Sequence, residues 1–118
     1  MLAYLHSLPL NIEVTCGGKD WLLVHGGPVE TVRQQYKAPS DDDIRSEAVW
    51  HRIDLFEQMP LGKTVVFGHT PTIRYQPNEP MEIFYGGDRI GIDCGCAYED
   101  GRLCCLRLDD GAVFYSQG

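Results

Sequence analysis

Apolar and β-branched residues fall into short runs along the chain, a pattern typical of strands separated by turns. Residues 12–15 and 21–24 are two such runs, and the polar segment between them contains Gly17 and Gly18. We therefore expect a hairpin with a turn of several residues. Residues 64–67 form a continuous apolar and β-branched run with a glycine shortly before it and another directly after it. This run predicts a strand that is buried on both faces.

A helical pattern lies between the hairpin and this buried strand. Apolar residues recur at spacings of three and four over residues 46–59. The periodicity predicts a helix in at least the later part of the segment, ending before Pro60. The polar, acidic segment of residues 38–43 shows no such period and predicts a surface loop.

The last third of the chain alternates strand-like runs with turn signals. The strand candidates are residues 83–85, 89–93, 102–108 and 112–115. Asp100-Gly101 and Asp110-Gly111 predict tight turns, so we expect a meander here. The whole pattern indicates an α+β or α/β fold of mostly mixed and antiparallel strands, with one or two helices.

The composition is that of a single globular domain spanning residues 1–118. Hydrophobic residues make up 43% of the chain and charged residues 23%, so a packed core is expected. The formal net charge of −7 argues against nucleic-acid partners and anionic membranes. No apolar run approaches the roughly 20 residues of a membrane span, and residues 1–10 lack a secretory pattern. We expect a cytoplasmic protein whose five cysteines are free thiols.

Two histidines occupy equivalent positions after predicted strands. His25 follows the second run and precedes residues 26–28 (GGP), and His69 follows the third run and precedes residues 70–71 (TP). Functional side chains collect where strands end, and neutral imidazoles are common ligands of divalent metals. The pair is therefore a candidate metal site if the two strands are neighbours. The alternative is that each histidine only caps its strand with hydrogen bonds.

An arginine beside an aromatic residue is a candidate phosphate ligand. Arg52 lies two residues after Trp50, and its planar guanidinium matches the geometry of a phosphate group. The alternative is an arginine that is solvated or paired with a carboxylate.

Four of the cysteines come as two close pairs, which raises the possibility of a zinc site. Cys94 and Cys96 would share one strand face, whereas Cys104 and Cys105 would point to opposite faces. This spacing disfavours a tetrahedral cluster, and the absence of a Cys-x-x-Cys pair disfavours a redox dithiol. We expect small core residues instead.

Four segments in sequence carry a family resemblance. They are residues 22–28 (LLVHGGP), 50–52 (WHR), 65–71 (VVFGHTP) and 90–96 (IGIDCGC). In order and approximate spacing they resemble the later motifs of the calcineurin-like metallophosphoesterases. The resemblance is to the branch of bacterial serine/threonine protein phosphatases and symmetrical diadenosine-tetraphosphate hydrolases, and it extends from about residue 8 to residue 115.

This resemblance implies a role for each candidate residue. His25 and His69 would bind a metal of a two-metal centre containing manganese, iron or zinc, and Arg52 would bind the substrate phosphate. The substrate would be a phosphorylated protein or a dinucleotide polyphosphate. The implied fold is part of a β-sandwich flanked by helices.

The motifs of the family's first half are absent from the chain. These are Gly-Asp-x-His-Gly, Gly-Asp-x-x-Asp-Arg-Gly and Gly-Asn-His-Glu, which would supply the bridging carboxylate and the catalytic acid. We therefore expect a partial domain that corresponds to the carboxyl-terminal half of such an enzyme. It would bind metal weakly or not at all by itself, would be inactive alone, and would self-associate through exposed sheet surface.

Two functions of other classes stay open beside the hydrolase. One is a non-catalytic interaction module that retains a remnant of the fold and uses its exposed sheet for a partner. The other is a thiol or zinc protein built on the cysteines.

Overall fold

The computed structural model describes residues 7–36 and 40–116. Within these ranges the chain forms seven strands, two α-helices and one short 3₁₀ helix. In chain order they are β1 (Asn11–Cys16), β2 (Lys19–Val24), α1 (Val29–Gln35), α2 (Asp41–Trp50), β3 (Thr64–Phe67), the 3₁₀ helix (Thr72–Arg74), β4 (Phe84–Tyr85), β5 (Arg89–Gly91), β6 (Cys104–Leu106) and β7 (Val113–Tyr115). Neither α-helix is long and apolar enough to cross a membrane.

Five strands form one mixed sheet in the order β1-β2-β3-β5-β4. The pairs β2-β3 and β3-β5 are parallel, whereas the outer pairs β1-β2 and β4-β5 are antiparallel. The predicted mixture of α and β elements is therefore confirmed. β3 lies at the centre, and its Val65, Val66 and Phe67 are buried, as its continuous apolar run predicts.

The β1-β2 hairpin has a tighter turn than the sequence pattern suggested. β1 ends at Cys16 and β2 begins at Lys19, so only Gly17 and Gly18 connect them, with φ of 60° and 78°. The predicted turn of several residues is wrong because two consecutive glycines accept the positive φ that a two-residue turn needs.

The helix before β3 lies earlier than its apolar spacing predicted. α2 ends at Trp50, and residues 51–60 contain no helix, so the prediction for the later part of residues 46–59 is wrong. The predicted surface loop begins outside the described residues, but its aspartates form the first turn of α2. Ser40 accepts a hydrogen bond from the Asp43 amide (3.2 Å), and the acidic first turn suits the positive end of the helix dipole.

Each of the four predicted C-terminal segments contains a strand, but the strands are shorter than predicted and do not form one meander. β5 joins β3 in the main sheet, whereas β6 and β7 form a separate two-stranded sheet. The turn at Asp110-Gly111 does connect β6 with β7, with Gly111 at a φ of 76°. The turn at Asp100-Gly101 joins no pair of neighbouring strands, because Arg102 makes only an isolated bridge to Gly95.

The main sheet carries a packed layer on each face. The β6-β7 pair covers one face, where Val66 belongs to the core. The irregular segment after α2 covers the other face, where Ile53 and Met59 pack with Val65 and Phe67. A smaller cluster joins the two helices, with Val32, Ile44 and Ala48 at its centre. Alternate residues of β3 thus serve two cores, which fixes the strand in register.

Candidate functional site

The two candidate histidines lie together at one edge of the sheet. β2 and β3 are parallel neighbours with Val24 opposite Phe67, so both strands end at the same level. His25 follows β2 directly, and His69 follows β3 after one glycine. Their ring centroids are 5.3 Å apart and the ring planes are inclined by 46°. The fold therefore brings together two side chains that are 44 positions apart (69 − 25) in the sequence.

His69 has a strained backbone. Its φ is 65°, and among the described residues it is the only one other than glycine that has a positive φ. The Thr70 amide donates a hydrogen bond of 2.6 Å to the Gly68 carbonyl, which closes a γ-turn centred on His69. A left-handed conformation costs an L-residue about 1–2 kcal/mol, so the surrounding structure must maintain it. The turn therefore changes the direction of the chain abruptly at His69.

The imidazole of His69 is kept neutral and has one nitrogen available. Burial lowers its pKa, and the nearby positive charges of Arg52 and His25 lower it further. The main chain of Trp50 acts on the ring in the opposite sense and raises its pKa. Its Nε2 is buried and has no hydrogen-bond partner among the described residues. A neutral imidazole with a free nitrogen is the form of histidine that binds a metal ion.

The end of α2 places an aromatic ring and a cation beside this pair. The Trp50 indole lies edge-on to the His69 ring, with centroids 5.4 Å apart and planes inclined by 87°. Arg52 lies close enough for its charge to act on His69. Its side chain is exposed and makes no ion pair with the residues that the structure describes. The guanidinium is thus free to bind an anion next to the histidines.

Gly26 allows α2 to approach the end of β2. A Cβ atom on Gly26 would lie 2.5 Å from the Ala48 carbonyl oxygen and 2.7 Å from the Val49 carbonyl oxygen. The next amide, that of Gly27, donates to the Ala48 carbonyl at 3.1 Å. The glycines after His25 therefore act through close backbone contact, which brings the last turn of α2 against the strand end.

Two cavities adjoin these residues. One, of about 500 Å³, is lined by Arg52 together with uncharged residues and residues of both charge signs, namely Pro71, Ile73, Arg74, Glu79, Met81, Tyr98, Glu99 and Asp100. The other, of about 400 Å³, is bordered by His25 and is mostly apolar. Space for a ligand is thus available next to Arg52 and next to His25.

The described residues offer two metal ligands at this place and no complete set. Across residues 7–36 and 40–116, no group of three or more His, Cys, Asp or Glu side chains is close enough to hold an ion. The imidazoles fit the ligand preference of zinc and iron, but a zinc ion takes four ligands. Further ligands would have to come from groups outside this cluster.

Asp93 is a neighbour of the site that the sequence analysis missed. It follows β5, the other parallel partner of β3, and its negative charge acts on His69. The signal was present, because Asp93 follows a strand just as the two histidines do. It was missed because the predicted strand of residues 89–93 included Asp93, whereas the observed strand ends at Gly91.

Among the described residues, the cysteines do not complete a metal site with the two histidines. All five are free thiols, and Cys96 and Cys105 are exposed. Burial raises the pKa of Cys94, and it raises that of Cys104 to about 12. These two thiols therefore stay protonated at neutral pH and are weak nucleophiles and weak ligands.

No protein-family model matches the chain, and no curated protein matches it significantly. The assignment of the site therefore depends on its residues and their geometry.

The strained backbone of His69 leads to a prediction about stability. Within regular elements, a protein with alanine at a given position is normally more stable than one with glycine there, by about 0.5–1 kcal/mol. At position 69 we expect the reverse order, with His69→Gly more stable than His69→Ala by about 1 kcal/mol, because only glycine adopts this φ freely. Urea unfolding of the two variants measures the difference. An alanine variant as stable as the glycine variant would show that the left-handed turn is absent.

The close contact at Gly26 makes a second prediction. Gly26→Ala should lower the free energy of unfolding by about 1–3 kcal/mol, because the new methyl group would overlap backbone oxygens of α2. Gly68→Ala is the matched control, since its Cβ would lie 3.7 Å from the His25 carbonyl oxygen, an ordinary contact. Equal destabilisation in the two variants would contradict the proposed approach of helix and strand.

Proposed function

We propose that this chain supplies part of the active centre of a metal-dependent phosphoester hydrolase of the serine/threonine protein phosphatase type. His25 and His69 are the metal ligands, and Arg52 is the phosphate-binding residue. One observation supports this most strongly: two imidazoles lie 5.3 Å apart at the ends of adjacent parallel strands. The resemblance of the four sequence segments to the calcineurin-like metallophosphoesterases supports the same function.

Each residue has a defined part in this proposal. His69 presents its buried, unpartnered Nε2 as a ligand, and its lowered pKa keeps the imidazole neutral at physiological pH. His25 provides the second imidazole from the neighbouring strand. The guanidinium of Arg52 holds the phosphoryl oxygens and offsets their charge. A bound pair of manganese, iron or zinc ions would supply a water of lowered pKa and further charge neutralisation.

The chain by itself is proposed to be inactive. Two imidazoles and one arginine leave a metal without bridging carboxylates, and nothing among them serves as a catalytic acid. The remaining ligands would come from a further polypeptide segment or partner. The substrate class in the assembled enzyme would be a phosphorylated protein or a dinucleotide polyphosphate.

A second candidate function is a non-catalytic interaction module. The loop between α2 and β3 favours it, because Phe56 and Leu61 are exposed by 94% and 87%, respectively. Exposed apolar side chains of this size are typical of surfaces that bind another protein. The two functions differ in whether the histidine pair and Arg52 bind ligands.

Zinc binding tests the histidine pair. We expect His25→Ala and His69→Ala each to weaken Zn²⁺ binding by at least about tenfold, because each removes one of two ligands. Isothermal titration calorimetry of the reduced protein measures the affinity. Cys94→Ser is the control and should leave the affinity unchanged. Zinc binding that survives both alanine variants but is lost in the serine variant would instead support the thiol or zinc protein.

Phosphate binding tests Arg52. In the zinc-loaded chain, Arg52→Ala should weaken binding of inorganic phosphate by roughly ten- to a hundredfold, since a charge-assisted hydrogen bond contributes about 1.5–3 kcal/mol. The zinc affinity should stay the same. Arg74→Ala, which removes another arginine from the same cavity, is the control and should have a smaller effect. Loss of zinc in the Arg52 variant would assign this arginine to structure.

A further inference from the structure

We propose that the buried pair of His51 and Glu57 is a positioning device that holds Trp50 and Arg52 against the histidine site. The role of the pair in positioning Trp50 follows from the geometry alone. Its role in positioning Arg52 for a ligand rests on the proposed phosphate-binding function.

The segment that leaves α2 alternates between exposed and buried side chains. Trp50 is 70% exposed, His51 is buried, Arg52 is exposed and Ile53 is buried. His51 adopts an extended conformation with φ of −60° and ψ of 138°. The alternation of exposed and buried residues shows that neighbouring side chains point to different sides of this segment. Any interaction that fixes His51 inward therefore fixes its two neighbours outward, toward His69.

His51 is held on both ring nitrogens. Its Nε2 lies 2.7 Å from the Glu57 Oε2, and its Nδ1 lies 3.2 Å from the Tyr36 hydroxyl oxygen. The side chains of His51 and Glu57 are exposed by only 3% and 4%. A Cβ atom on Gly27 would lie 2.4 Å from the His51 Cδ2, so the ring rests directly on that backbone. These contacts leave the imidazole little freedom to rotate.

Glu57 connects this ring to the main sheet. Its Oε1 accepts a hydrogen bond of 3.1 Å from the Asp54 amide. Arg89, a buried residue of β5, donates to the Asp54 carbonyl at 2.6 Å and also to the Glu57 carbonyl. Arg52 thus lies in the chain between His51 and Asp54. Both of these residues are connected by hydrogen bonds to the sheet that carries the site.

The charge state of Glu57 agrees with a permanent pairing. Burial alone would raise the pKa of this carboxyl, but hydrogen bonds from His51 and from the Asp54 amide outweigh it and lower the pKa. A buried polar pair of this kind is weak evidence for stability, because apolar residues of similar volume often stabilise a fold equally well. The pair is better explained by the fixed direction of its hydrogen bonds, which set the orientation of the exposed segment beside it.

The test replaces the pair by apolar residues of similar size. The double variant His51→Leu, Glu57→Met should remain folded, because it removes both buried polar groups together. We expect it to lose the nuclear Overhauser contacts between the Trp50 indole and the His69 ring, which need no metal or phosphate. In the zinc-loaded chain, phosphate binding should weaken by about tenfold, because a mobile guanidinium keeps only part of its contact.

Two further variants complete the experiment. Glu57→Gln keeps a hydrogen-bonding partner for His51 and should retain the Trp50–His69 contacts. Asp41→Asn, which breaks the exposed Arg33–Asp41 pair (3.7 Å), is the control and should change nothing. A folded double variant with wild-type Trp50–His69 contacts would overturn the proposal. If those contacts are lost as expected but the wild type binds no phosphate, the positioning role stands and the proposed function fails.

Discussion

The parallel pairing of β2 with β3 is the constraint on which the candidate site depends. Val24 lies opposite Phe67, so the two strands end at one level and the residues that follow them meet. This register is strongly determined, because β3 is buried on both faces and a slip by one residue would exchange the faces of every side chain. The 5.3 Å separation of His25 and His69 is thus a consequence of core packing.

The site is completed by a helix end that is brought unusually close to the strand. The backbone of Gly26 touches the final carbonyl groups of α2, and the buried His51 holds the segment that follows. His69 meanwhile adopts a left-handed backbone that costs free energy. Backbone strain of this kind is typical of functional sites, because it does not itself stabilise the fold. The surrounding cores offset these costs.

The sequence predicted the parts of this arrangement that follow from local pattern. The run before His69 identified a buried strand because β-branched and apolar residues without polar interruption suit a central position. Helix bounds were less predictable, because the serine cap and the aspartates at the start of α2 outweighed the apolar spacing further on. The buried Arg89 and Glu57 could not be foreseen, since their burial depends on partners distant in sequence. Helix α1, only seven residues long, gave too short a period to detect.

The most direct test of the paired histidines is X-ray absorption spectroscopy of the zinc-loaded chain, which counts the ligands of the metal. Two imidazole nitrogens at about 2.0–2.1 Å from each zinc ion are the expected result. The pair would be lost from the coordination shell in a His25→Ala, His69→Ala double variant. A shell with fewer than two imidazoles, or one made of sulfur atoms, would contradict the claim that these strand ends form a metal site.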